Sequence, residues 1–255
     1  MNIIGIIPAR LASTRFPNKP LEKILGLPMI AHVYYRSKMC KDLSEVYTAT
    51  CDEEIKNYME SIGGKVIMTS DKHERASDRT AEALLKIEKE TNKKVDIVVM
   101  IQGDEPMITP QMISESIKPL MNNGGIKVCN LMSKITSREE HEDPNEIKVV
   151  VDKNNFALYF SREPIPSRKK VQKDVPLYKQ VCVIPFERDF LLQYNSMPST
   201  TLEIIESIDM NRILENGMRI KMVYVDQLTY SVDTKEDLIH TAGLMKNDPL
   251  IGKYL

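Results

Sequence analysis

Tryptophan is absent from the chain, and aromatic residues make up only 6% of its 255 positions. A surface so poor in rings has no stacking platform for the bases of a nucleic acid strand. Cysteine is nearly as sparse: Cys40, Cys51, Cys129 and Cys182 lie far apart and form no CxxC pair. That spacing argues against a zinc ribbon or dithiol redox centre and suits unpaired thiols in a reducing compartment. An excess of one charge is also missing. The 35 Lys and Arg against 36 Asp and Glu leave a formal net charge of -1, which gives no general attraction to nucleic acid or to an anionic membrane. No apolar run approaches the length of a membrane span, and the opening Met1–Pro8 is too short, and lacks the basic start, for a secretory signal. These absences point to a cytoplasmic protein with no nucleic acid partner and no membrane span. Only 10 glycines occur, and neither a Walker loop nor a GxGxxG fingerprint is among them, so any phosphate must be held mainly by side chains.

What is present is an ordinary globular mixture, 42% hydrophobic and 28% charged, long enough for a substantial core. Short apolar runs alternate with longer amphipathic ones, the pattern of an α/β protein with a mostly parallel, Rossmann-like sheet flanked by helices. Ile3–Ile7 reads as a buried strand ended by Pro8. Further strands are expected at Glu45–Cys51, Lys65–Met68, Val95–Ile101, Lys127–Met132, Ile147–Val151, Ala157–Ser161, Val181–Phe186 and Arg219–Val225. Helices are expected from Pro28 to about Met39, over Asp52–Ser61, from Ser77 or Asp78 to about Glu90, from Pro110, over Ile208–Glu215 and over Lys235–Met245. In the third of these, Ala81, Leu84, Leu85 and Ile87 are expected to share the buried face. The proline-rich, basic stretch Arg162–Pro176 reads as an excursion from one domain spanning residues 1–255, with a smaller β-rich lobe.

Ligands of open α/β sheets bind beyond the carboxyl ends of the parallel strands, so the loops there should carry the chemistry. The first, Pro8–Pro20, supplies two guanidiniums, an ammonium and two hydroxyls between prolines, a composition suited to a triphosphate. The alternative reading is a solvated basic loop. Gln102-Gly103-Asp104-Glu105-Pro106 follows the most apolar strand, where a carboxylate can reach a crevice and hold Mg²⁺ together with phosphate oxygens; a plain turn and helix cap is the alternative. Asp233 is either a second metal carboxylate or a helix cap, with Glu236 completing a capping box from Asp233 or Thr234. Thr69–Arg79 is a polar segment ending at a helix start, where free N–H groups favour anions; its His73 is a possible base or a merely solvated histidine.

Taken together, IPARLASTRFPNKP (Ile7–Pro20), QGDEP (Gln102–Pro106), ALYFSREPIP (Ala157–Pro166) and SVDTKEDL (Ser231–Leu238), with Asp143-Pro144-Asn145 and Lys148-Val149-Val150, make the chain resemble the CMP-Kdo synthetases nearly end to end. These are 3-deoxy-manno-octulosonate (Kdo) cytidylyltransferases of lipopolysaccharide biosynthesis, within the sugar nucleotidyltransferase superfamily. The resemblance implies a homodimer built through a lobe around 162–186, with CTP and an acidic sugar as substrates and Mg²⁺ as cofactor. It implies that Arg10, Ser13, Arg15, Lys19, Asp78, Arg79 and Gln102 bind the nucleotide, and that Asp104 and Asp233 hold the metal. Lys19, Asp104 and Asp233 would be catalytic, and Arg162, Gln180 and Asp209 would meet the acceptor. Departures from the family pattern cluster at the acceptor end. Arg75-Ala76-Ser77 stands for SGT, Gln180, Cys182 and Ile184 for a histidine, glycine and tyrosine, and Asp209-Met210 for a glutamate–glutamine pair. Lost hydroxyl, imidazole and amide contacts would change which acceptor is preferred. The alternatives are therefore CMP transfer to a nonulosonate, an amino-Kdo or a phosphorylated small molecule, or a catalytically silent nucleotide-binding protein.

Overall fold

The computed structural model describes residues 1–12, 16–122, 125–170, 175–227 and 229–255. In chain order the first elements are β1 (Ile3–Ala9), the short β2 (Lys23–Ile24) and β3 (Leu27–Pro28), α1 (Met29–Lys38), β4 (Glu45–Thr50), α2 (Glu53–Ser61) and β5 (Lys65–Met68). Then come α3 (Ala76–Thr91), β6 (Ile97–Ile101), α4 (Pro110–Met121), β7 (Cys129–Lys134), α5 (Arg138–Glu142), β8 (Lys148–Val151) and β9 (Ala157–Ser161). The chain ends through β10 (Tyr178–Val181), β11 (Val183–Glu187), α6 (Arg188–Ser196), α7 (Thr201–Glu206), α8 (Met210–Glu215), β12 (Lys221–Tyr224) and α9 (Lys235–Met245). It divides into two compact units, one of residues 1–114 with 228–255, the other of residues 115–227.

In the first unit β6, β1, β4 and β5 lie side by side and all parallel, as the βα alternation in sequence predicts. Parallel strands between helices are buried on both faces, which is why β1 and β6 read as continuous apolar runs rather than alternating ones. All residues of both strands are buried, and each fully buried Ile or Val contributes about 1.5–3 kcal/mol. Helices α1, α2 and α3 pack against this sheet. β1 does not stop at Pro8. Its register with β6 ends at Ile6, whereas that with β4 runs on to Ala9, so beyond Ile6 one flank needs no amide donor and proline is tolerated. Helix α3 begins at Ala76, slightly ahead of the expected Ser77 or Asp78. Its buried face is centred on Thr80, Ala83, Leu84 and Ile87, which leaves Leu85 on the outside, 48% exposed. Helix α2 ends as expected: Gly63 has φ 76°, where a side chain would be strained.

A second cluster in this unit joins distant segments: Phe16, Ile24, Met29 and Met107 are buried with Val232 and Met245. It seats α9 and the turn over Ile251–Lys253 against the segments that follow β1 and β6.

The second unit holds a mixed sheet in the order β12-β7-β10-β8-β9, antiparallel except for β12 beside β7. The expected strand Val181–Phe186 is two strands broken at Cys182, with β10 in this sheet and β11 outside it. Helices α5, α6 and α7 were not anticipated; the first and last have five and six residues, too short to show a 3.6-residue period. Among the described residues no helix is long and apolar enough to cross a membrane.

Candidate functional site

Because β1, β4, β5 and β6 are parallel, their following loops emerge along one edge of the sheet. These loops begin at Arg10, Cys51, Thr69 and Gln102, so three of the four contain a segment singled out from sequence. They are tied to one another. The Leu11 amide donates to the Asp52 carboxylate at 2.8 Å, and Arg10 donates to the carbonyl of His73 at 3.4 Å. The rest of the first loop turns back through Asn18, whose φ of 58° lies in the left-handed region asparagine tolerates, and whose amide donates to Leu11 O. A single 3-10 turn over Lys19–Leu21 follows and delivers Lys19. Ser13 and Arg15 lie outside the described residues.

Lys19 is the centre of the arrangement. Its Nζ lies 2.8 Å from Asp104 Oδ2 and 3.1 Å from Asp233 Oδ1. All three side chains are mostly buried, between 14% and 23% exposed. Burial by itself would lower the lysine pKa, but the two carboxylates outweigh it and hold the ammonium above the usual lysine range. Thus two aspartates far apart in sequence converge on one cation, as the sequence reading required.

Backbone and side-chain staples fix the two acidic segments together. The Val232 amide donates to Asp104 O at 3.0 Å, and Ser231 Oγ donates to the buried Glu105 carboxylate at 2.7 Å. The capping expectation is resolved by a residue shift. Thr234 is the N-cap of α9 and Asp237, not Glu236, completes the box, its carboxylate accepting from the Asp233 and Thr234 amides. Asp233 itself precedes the cap, and its carboxylate accepts from Lys19.

After β5, Arg79 is buried in the first turn of α3 and donates to Thr69 Oγ1; its second terminal nitrogen has no hydrogen-bond partner among the described residues. Such a buried, unsatisfied guanidinium N–H is costly without an anion to accept from it. Asp78 precedes it on the same helix, half-buried. His73 is no free base: its ring bonds Glu82, which also accepts from the Ser70 amide. Gln102 lies at the end of β6, its carbonyl turned into the loop to accept the Glu105 amide.

The residues expected at the acceptor lie in the second unit, and the structure engages them locally. Arg162 donates to the carbonyls of Glu206 and Pro144, both at 2.9 Å, while its amide bonds the Glu206 carboxylate. Gln180 is buried and donates to Asn130 Oδ1. The carbonyl of Asp209 accepts from Tyr194, and the residues after it are structural: Asn211 pairs with the backbone of Phe160, and Arg212 forms a buried ion pair with Glu203. Sequence reasoning missed Asp52, Glu82, Glu105 and Glu206. Of these, Glu105 stood inside a motif already singled out and Asp52 at a strand's end, whereas nothing local marked Glu82 or Glu206.

A parallel sheet whose carboxyl edge gathers a lysine-bridged aspartate pair, a basic loop and a buried arginine is the frame of a nucleotidyl-transferring enzyme. Residues 4–220 match the cytidylyltransferase family. The chain is 40% identical to a 3-deoxy-manno-octulosonate cytidylyltransferase of Trichlorobacter lovleyi, over 96% of this chain and 99% of that one. It is 42% identical to the enzyme of the same name from Geobacter sulfurreducens, over 93% and 97%. Among solved structures it resembles a CMP:2-keto-3-deoxy-manno-octonic acid synthetase complexed with CTP, with a TM-score of 0.87 and 35% identity over 97% of this chain and 100% of that one. The chain belongs to the cytidylyltransferase family, and within it to the 3-deoxy-manno-octulosonate cytidylyltransferases.

Proposed function

We propose that the protein transfers CMP from CTP to Kdo and releases pyrophosphate. The observation that carries this reading is the convergence of Lys19, Asp104 and Asp233 at the carboxyl edge of the sheet, in a chain alike from end to end to enzymes of that name. An acceptor oxygen attacks the α-phosphorus, the new P–O bond forms, and the bond to the bridging oxygen breaks. Such a reaction asks mainly for positioning and charge neutralisation.

Arg10, Lys19, Arg79 and Gln102, with Asp78 and the undescribed Ser13 and Arg15, are assigned to the nucleotide. The nitrogen of Arg79 that has no partner among the described residues supports a phosphate oxygen as its acceptor. Asp104 and Asp233 fit Mg²⁺: two carboxylates already share one cation, and magnesium typically takes one or two carboxylates with phosphate oxygens and water. When bound, magnesium would neutralise phosphate charge and acidify the acceptor hydroxyl. Lys19, beside both aspartates, would supply its ammonium to the phosphates.

Arg162, Gln180 and Asp209 are assigned to the acceptor, residues 1–255 to one functional enzyme, and the segment 162–186 to a homodimer contact. The enzyme is assigned to the cytoplasm, where CTP is made. Pyrophosphate release measured for four nucleoside triphosphates against Kdo, amino-Kdo, nonulosonates and phosphorylated acceptors tests the reaction. Release with CTP and Kdo above every other pair is expected. Preference for another acceptor would reassign the sugar, and no release with any pair would leave only a nucleotide-binding protein. Light scattering tests the dimer.

A further inference from the structure

Helix α1 lies outside every motif discussed so far, yet it carries a fully buried arginine. Arg36 is 0% exposed and spends its guanidinium on three different segments. Nε donates to the Tyr254 hydroxyl at 2.9 Å, one terminal nitrogen donates to Ile108 O at 3.2 Å, and the other meets Asp248 Oδ2 at 2.6 Å. The same Tyr254 hydroxyl lies 2.8 Å from His32 Nδ1, and His32 Nε2 lies 2.8 Å from Ile24 O. A carbonyl can only accept, so Nε2 carries the proton. Burial, aided by the Arg36 charge, holds the imidazole below the usual histidine pKa and therefore neutral. Nδ1 then accepts from the Tyr254 hydroxyl, whose oxygen accepts from Arg36. The relay has one direction, Arg36 to Tyr254 to His32 to Ile24, with every member satisfied.

The segments it holds are those that deliver the site. Ile24 follows the turn that carries Lys19. Ile108 closes the loop that carries Asp104, and its amide is bonded to Glu105 O. Asp248 follows α9, whose N-terminus is set directly behind Asp233. The aromatic ring of Tyr254 also stacks on Tyr35 at 5.5 Å, which keeps the hydroxyl in place. Taking an arginine wholly out of water is expensive, and an apolar side chain of similar volume commonly serves stability as well or better. What apolar packing cannot supply is fixed donor geometry toward three separate segments, and nucleotidyl transfer is sensitive to misplacement of about 1 Å.

We propose that Arg36, through Tyr254 and His32, is a positioning residue that sets Lys19, Asp104 and Asp233 in register for catalysis. This inference rests on the proposed function for its activity readout, but not for its structural one.

The test is Tyr254→Phe in the full chain, which keeps the ring and removes the oxygen shared by Arg36 and His32. Expected are a fall in kcat for pyrophosphate release of about tenfold with little change in KM for CTP, and faster amide exchange in the segment 229–234 containing the Val232–Asp104 staple. Glu203→Gln, which breaks a buried ion pair in the other unit, serves as the control for simple destabilisation; it should lower Tm and leave kcat unchanged. If Tyr254→Phe does not fold, Asp248→Asn provides the same readouts through another bond of the cluster. An unchanged kcat overturns the inference, whatever happens to Tm, and so does unchanged exchange in 229–234. Should the wild type release no pyrophosphate with CTP and any acidic sugar, the proposed reaction falls, and the exchange measurement alone decides whether the cluster registers the loops.

Discussion

Replacing Lys19 by methionine separates the two jobs its ammonium performs. In the structure Lys19 is the cation between Asp104 and Asp233, at 2.8 and 3.1 Å, with all three groups mostly shielded from water. Methionine fills similar volume but removes the cation that the two carboxylates share. An exposed ion pair is worth about 0–1 kcal/mol, whereas removing one partner of a buried pair costs about 3–5 kcal/mol; the partial exposure here places the expected loss near 2–4 kcal/mol. Because the uncompensated charge is negative, magnesium alone should restore much of it. The variant should therefore melt lower than wild type in chelator and recover on adding Mg²⁺, with a larger Mg²⁺-induced rise in Tm than wild type shows. Turnover should nevertheless fall about a hundredfold or more even at saturating metal, since a charge on the phosphates is lost. Thermal denaturation with and without Mg²⁺, paired with a pyrophosphate-release assay, measures both. A variant with wild-type Tm in chelator and turnover within about threefold of wild type would refute the placement of Lys19 at the centre of the site.

Asp104→Asn keeps the shape of the pair and removes one charge, so pyrophosphate release should fall by at least about a hundredfold; near-normal rates would take Asp104 out of the metal site. Arg79→Met should raise the KM for CTP by about tenfold or more, the worth of a charge-assisted hydrogen bond, and calorimetric titration with CTP checks it without catalysis. Glu82 gives a pH prediction. Burial would raise its carboxyl pKa, but Lys86, the Ser70 amide and His73 together bring it down to about 2, from 4.5 for an unperturbed glutamate. A depressed carboxylate lends stability that is full above pH 4.5 and is lost as pH falls through about 2. Glu82→Gln should thus be less stable than wild type at pH 7, and the gap should close as the acid limb is followed toward pH 2 by circular dichroism; a gap that widens toward acid would reverse the sign.

Local pattern determined much of this protein. Runs such as Ile97–Ile101 have no polar alternative to burial, and the βα alternation then dictates a parallel sheet with its loops on one edge. From that came the positions of Arg10, Lys19 and Asp104; that Asp233 would join them was implied by the family resemblance. The particular bonds needed the folded chain. Whether Asp233 caps its helix or faces Lys19 turns on a one-residue shift of the cap to Thr234, which propensity cannot resolve because both residues cap well. Pro8 could sit inside β1 only because one neighbouring strand ends early, a fact of register. The acceptor residues were named by motif, yet Arg162 and Gln180 meet Glu206 and Asn130, partners distant in sequence that no spacing announces. Arg36 was invisible for the same reason. Its meaning lies in Ile108, Asp248 and Tyr254, and contacts between remote segments exist only once the hydrophobic core has brought those segments together.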